Sequence, residues 1–113
     1  MSRAYVPERG DLVWLSFSPH AGREQAGRRP GLVLSPAAYN RRGGLAFICP
    51  ITSRIKGYPF EVRLESGGGV AGVVLVDHLR SVDWKVRKVE FIARATARVV
   101  SEVTERLRPL LEF

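Results

Sequence analysis

Short apolar runs bounded by turn-forming residues recur along most of the chain, and a helical spacing replaces them near its end. The first run, residues 11–17, holds Leu12, Val13, Trp14, Leu15 and Phe17 between Gly10 and Pro19. Further runs at 31–35, 45–51, 60–64, 70–76 and 89–93 are rich in Val, Ile and Phe and mostly flanked by Gly, Pro or Asn. Short β-branched and aromatic runs between such breakers read as strands. At 61–64, charged Glu61 and Arg63 alternate with Val62 and Leu64, as in a strand with one wet face. From 97 to 111, Val99, Val100, Val103, Leu107, Leu110 and Leu111 follow a 3.6-residue period instead. Thr96 is placed to cap that helix, Glu102 and Arg106 to pair across one turn, and Pro109 to end or kink the last turn. Several short strands and one terminal helix predict a mainly β fold: a small antiparallel barrel with a C-terminal helix packed on it.

Composition adds a size and a partner. With 113 residues, 45% hydrophobic and 26% charged, the chain is expected to form one domain spanning 1–113. So small a core makes oligomerisation a natural way to bury more apolar surface. Eighteen Lys and Arg against eleven Asp and Glu give +7, and fifteen of the eighteen are arginine. Arginine is favoured for bidentate phosphate contacts and for stacking on bases. An anionic partner is therefore expected, nucleic acid first and an acidic protein second. A lone Cys49 in an apolar run excludes an internal disulfide and reads as a buried, inert thiol. No segment reads as a signal peptide or a membrane span, so the expected compartment is the cytoplasm. Ser66 to Gly69 reads as a turn, and repeats and linkers are absent.

The chemistry narrows by exclusion and then stays open. His20 and His78 lack the spacing of metal ligands, Cys49 has no base beside it, and the glycine run lacks a phosphate-loop ending. The polar stretch 18–29 is long for a hairpin loop and carries Glu24 close to Arg23, Arg28 and Arg29. A carboxylate there can take a proton from a ribose 2′-OH while a guanidinium steadies charge on the phosphate, which suffices to cut RNA without a metal. On spacing alone, a solvated loop with weak ion pairs is the simpler reading. A second polar cluster at 50–59 offers Thr52, Ser53 and Lys56 to a phosphate and Tyr58 to a base, or is an ordinary turn.

Several motifs in order then resemble one family. Arg3-Ala4-Tyr5-Val6-Pro7 with Gly10-Asp11-Leu12-Val13-Trp14, Glu24-Gln25-Ala26-Gly27 followed by Arg29-Pro30, and Val33-Leu34-Ser35-Pro36 with Tyr39-Asn40 are similar to MazF/PemK-type mRNA interferases, toxins of type II toxin–antitoxin systems. Lys56-Gly57-Tyr58-Pro59-Phe60-Glu61-Val62 resembles a second signature, and residues 77–84 a looser third. The resemblance implies a PemK/CcdB-like barrel, a homodimer, and a metal- and cofactor-independent endoribonuclease that cuts single-stranded mRNA at a short sequence. Attack by the 2′-OH would leave a 2′,3′-cyclic phosphate and a 5′-OH. It implies Glu24 as the base, Arg29 as acid or phosphate stabiliser, and Thr52 as a helper near the scissile phosphate. Since a guanidinium holds its proton to a pKa above ~12, electrostatic stabilisation is the expected role of Arg29. Gln25, Arg28, Ser53, Lys56, Asp77 and His78 are the expected RNA-binding residues, and an acidic antitoxin the expected partner. The chain departs from some relatives at Arg28, where they have histidine, leaving open which of Arg28 and Arg29 meets the phosphate. It departs also at Leu75-Val76-Asp77, where an Arg-x-Asp pair stands in some members. Asp77 and His78 are therefore expected in base recognition, or in structure beside the groove. The alternatives on the same fold are a CcdB-like gyrase poison and a non-catalytic basic RNA-binding barrel. The Glu24, Arg29 and Thr52 set argues against the former.

Overall fold

A computed structural model describes residues 5–16, 28–65 and 69–112. Among these residues seven strands, all paired antiparallel, form one sheet: β1 (Asp11–Ser16), β2 (Arg28–Val33), β3 (Leu45–Thr52), β4 (Glu61–Arg63), β5 (Val73–Leu75), β6 (Arg80–Asp83) and β7 (Glu90–Arg94). The order is β4-β5-β3-β2-β1-β7, and β6 joins β3 off that path. Among the described residues, two helices complete the fold, α1 (Ala37–Gly43) and α2 (Ala97–Leu111), with a 3₁₀ turn at Val76–His78.

The long strand β3 makes the sheet curl. Its first half, Leu45 to Ile48, pairs with β6, while Ile51 and Thr52 pair with β5. Successive residues of β1 and β2 therefore feed two cores on opposite faces. Val13, Leu15, Val33, Ala46, Ile48, Val82 and Trp84 fill one. Leu12, Leu32, Cys49, Ile51, Val62 and Val74 fill the other, sealed by Val99 and Val103 of α2. Full burial of each such valine contributes roughly 1.5–3 kcal/mol. Thr96 caps α2 as expected, its Oγ1 accepting the Val99 N–H at 3.3 Å. Pro109 lies within α2, which stops two residues beyond it.

Some expectations need correction. Glu102 pairs with Arg98 one turn earlier, at 3.1 Å, because Arg106 instead donates to the Pro59 carbonyl. Strand β2 starts at Arg28, three residues before the apolar run, because it pairs with β1 out to Ser16. The apolar run 70–76 supplies only the three-residue β5, since Val76 already opens the 3₁₀ turn. The turn expected at 66–69 lies outside the described residues except for Gly69. Helix α1 and strand β6 were not anticipated. Only Asn40 of α1 and Val82 of β6 are buried, too little apolar pattern for either to announce itself.

Candidate active site

Position along a strand fixes which way a side chain faces, and β2 carries the decisive case. Arg28 and Arg29 are consecutive, so they project to opposite sides of the sheet. The Arg28 guanidinium donates to the Glu90 carboxylate and, at 2.8 Å, to the Lys88 carbonyl. Lys88 there has φ 54°, in the left-handed region. Arg29 instead lines a cleft of about 260 Å³ with Trp14, Pro30, Thr52 and Ser53.

Thr52 ends β3 between two clefts. Its Oγ1 accepts the Arg54 N–H at 3.1 Å, which leaves the hydroxyl hydrogen free to donate outward. Its backbone is packed against Gly72, where an added Cβ would stand 2.1 Å from the Thr52 carbonyl oxygen and φ is +119°. Only glycine fits that approach. On its other side Thr52 borders a second cleft, of about 240 Å³, lined also by Lys56, Tyr58, Glu61, Asp77 and His78. The sequence-predicted Arg29, Thr52 and Ser53 thus meet in one cleft, and Thr52, Lys56, Asp77 and His78 in its neighbour. Asp77 and His78 sit on the 3₁₀ turn, with Nε2 of His78 4.0 Å from Oδ1 of Asp77 and both side chains over half exposed.

Glu24 and Gln25 lie outside the described residues. The strands that flank them are tied to the β6–β7 turn: the Ser16 N–H donates to the Arg87 carbonyl at 3.0 Å, and the Arg87 guanidinium returns a bond to the Ser16 carbonyl at 3.2 Å. Cys49 is buried and its thiol donates to the Val76 carbonyl. Burial first, and the Asp77 charge second, push that thiol up to about 12, so it is no nucleophile. Among the described residues, no three His, Cys, Asp or Glu side chains are grouped as metal ligands would be. A larger cavity, about 520 Å³, lies by α2 between Arg9 and Arg94. Those guanidiniums are already engaged, by the Leu34 carbonyl and Thr104 hydroxyl and by Asp11.

The sequence places Glu61 on the wet face of a strand and in the second signature motif, without giving it a role of its own. Its carboxylate accepts the N–H groups of Lys56 and Gly57. Its place inside the Lys56-to-Val62 motif was the available signal.

A small curled antiparallel sheet with two helices, carrying a cleft lined by arginine and hydroxyl side chains, defines the class of the molecule. Residues 8–111 match the family described as PemK-like, MazF-like toxin of type II toxin-antitoxin system. The endoribonuclease toxin MazF of Escherichia coli K12 is 49% identical over 87 residues, 77% of this chain and 78% of that one. The endoribonuclease toxin ChpB of the same strain is 40% identical over 111 residues, 93% of this chain and 94% of that one. A crystal structure of MazE-MazF from Deinococcus radiodurans superposes with a TM-score of 0.87 at 55% identity, covering 97% of this chain and 99% of that one. The chain belongs to the PemK/MazF-like toxin family.

Proposed function

We propose that this chain is an endoribonuclease toxin that cuts single-stranded mRNA at a short sequence, with no metal or cofactor, and is neutralised by an acidic antitoxin. The observation that carries the reading is the shared position of Thr52, which borders the Arg29 cleft on one side and the Lys56, Asp77 and His78 cleft on the other. A strand laid across Thr52 has a cation and hydroxyls for its phosphate and a neighbouring recess for a base. Glu24 takes the proton from the 2′-OH, whose oxygen attacks phosphorus as the 5′-oxygen leaves. The leaving 5′-oxygen takes a proton from water, and the products are a 2′,3′-cyclic phosphate and a 5′-OH. Arg29 and the Thr52 hydroxyl donate to the phosphate oxygens as charge builds there. Gln25, Ser53, Lys56, Asp77 and His78 hold the flanking nucleotides, and the engagement of Arg28 by Glu90 supports giving the phosphate to Arg29.

The relatives named as endoribonucleases and the MazE-MazF complex support this reading, as does a net charge of +7 that suits an acidic antitoxin as well as RNA. Residues 1–113 act as one domain, two copies form a homodimer, and the site of action is the cytoplasm, where mRNA is. No helix among the described residues is long and apolar enough to cross a membrane. The test is to incubate the purified chain with a long RNA in EDTA and map new ends by primer extension. Cuts at a recurring short sequence, abolished in Glu24→Ala, are expected; intact RNA from a folded protein sinks the reading.

A further inference from the structure

Between β3 and β4, residues 53–60 form an arm with no regular secondary structure. Tyr58 at its tip is 61% exposed, and Lys56 Nζ lies 5.8 Å from the Tyr58 ring centroid, within cation–π range. Both side chains line the second cleft. An exposed arm of this kind has few ways to hold a shape. At its base the Arg54 N–H is held by Thr52, and at its far end Arg106 of α2 donates to the Pro59 carbonyl. Between those anchors stands Glu61, whose Oε1 accepts the Lys56 N–H at 3.1 Å and the Gly57 N–H at 2.9 Å. The Glu61 N–H in turn donates to the Tyr58 carbonyl at 3.1 Å. Gly57 turns there with φ +84°, in the left-handed region, with open space where a Cβ would be.

The geometry points to Glu61 as a positioning residue: by holding the Lys56 and Gly57 amides it sets the Lys56–Tyr58 arm over the cleft, where the arm grips the nucleotide beside the scissile phosphate. Glu61 touches no substrate in this scheme. Its carboxylate also cannot attract the phosphodiester, so its value to RNA binding is entirely through the arm. The inference rests on the ribonuclease reading for its rate measurements and is independent of that reading for its binding measurement.

The test compares Glu61→Ala and Glu61→Gln in two assays. One is steady-state cleavage of the mapped RNA site. The other is binding of a fluorescent, mixed-sequence single-stranded DNA, which lacks the 2′-OH and is not cut. Glu61→Ala is expected to lower kcat/KM by about 10- to 100-fold through KM and to weaken DNA binding in parallel. Its kcat should hold, and its Tm should stay within roughly 2 °C, because the bonds lost lie outside both cores. Glu61→Gln, whose amide oxygen still accepts both N–H groups, should restore most of the loss. In a Lys56→Ala/Tyr58→Ala background, Glu61→Ala should change nothing further. An unchanged KM and DNA affinity, a Gln variant as impaired as Ala, or an equal further loss in the double-alanine background overturns the proposal. Failure of the unaltered chain to cut RNA would sink the ribonuclease reading instead, and the DNA-binding comparison would still decide Glu61.

Discussion

Arg28 and Arg29 are neighbours in a strand that gives each an opposite face, and their surroundings differ accordingly. The Arg28–Glu90 pair is substantially exposed, so the ion pair contributes about 0–1 kcal/mol. Arg29 opens onto the Thr52 cleft. Removing a preorganised donor from a site of charge development costs roughly 10²- to 10³-fold in kcat. Arg29→Ala should show that loss in single-turnover cleavage, whereas Arg28→Ala should stay within a few-fold of the unaltered chain. Equal losses would mean that both arginines serve the phosphate. The sequence left this pair undecided for a physical reason. Two adjacent arginines are chemically identical, and what separates them is the β1–β2 register, Leu15 opposite Arg29 and Ser16 opposite Arg28. Thr52 was legible as a polar residue after a strand, but its double exposure, to two clefts at once, depends on where β5 and the 3₁₀ turn come to rest.

Among the elements, those with a strong pattern were legible and those with a weak one were not. β1 and β3 are dense apolar runs that feed a core on each face, and α2 sets Val99 and Val103 on one buried face at helical spacing. Helix α1 is held differently, through Asn40. The Asn40 side chain donates to the Pro7 and Ser35 carbonyls and accepts from the Ser35 hydroxyl, while its own carbonyl accepts the Trp84 Nε1–H. A polar knot of that kind leaves no periodicity to read. The β3–β5 contact is equally silent in the sequence, since Gly72 looks like any turn glycine until its approach to the Thr52 carbonyl is seen. That contact is testable. Gly72→Ala must strain φ and push β5 away from Thr52, which should cost roughly 1–3 kcal/mol. Calorimetry should show Tm falling by at least about 4 °C. Because the displaced group is Thr52 itself, kcat should fall in the protein that remains folded at low temperature. A variant with the Tm and kcat of the unaltered chain would show that the two strands do not fix the Thr52 hydroxyl.

For the molecule as a whole, polar and apolar surface are unevenly used. The clefts around Thr52 carry charged groups, with Arg29 on the first and Arg54, Lys56, Glu61 and Asp77 on the second. Elsewhere an apolar surface is left uncovered: Tyr39 stacks on Phe47 with centroids 5.7 Å apart, Leu45 lies two residues from Phe47 on the same face of β3, and Phe47 shares a groove with Leu107 and Leu111 of α2. Phe47 is 39% exposed and Leu111 61%, unusual values for large apolar side chains so close together. A chain this small gains most by covering such a face with its own copy, which meets it isologously about a two-fold axis. The proposed homodimer is therefore expected to pair through β3 and the end of α2. Light scattering of the unaltered chain at micromolar concentration should give twice the chain mass. Phe47→Arg, which puts a charge into the middle of that face, should give the single mass with an unchanged far-ultraviolet circular dichroism spectrum. A dimer that survives both Phe47→Arg and Leu111→Arg would place the interface elsewhere. A chain that is monomeric to begin with would leave this apolar face without the copy that its size calls for.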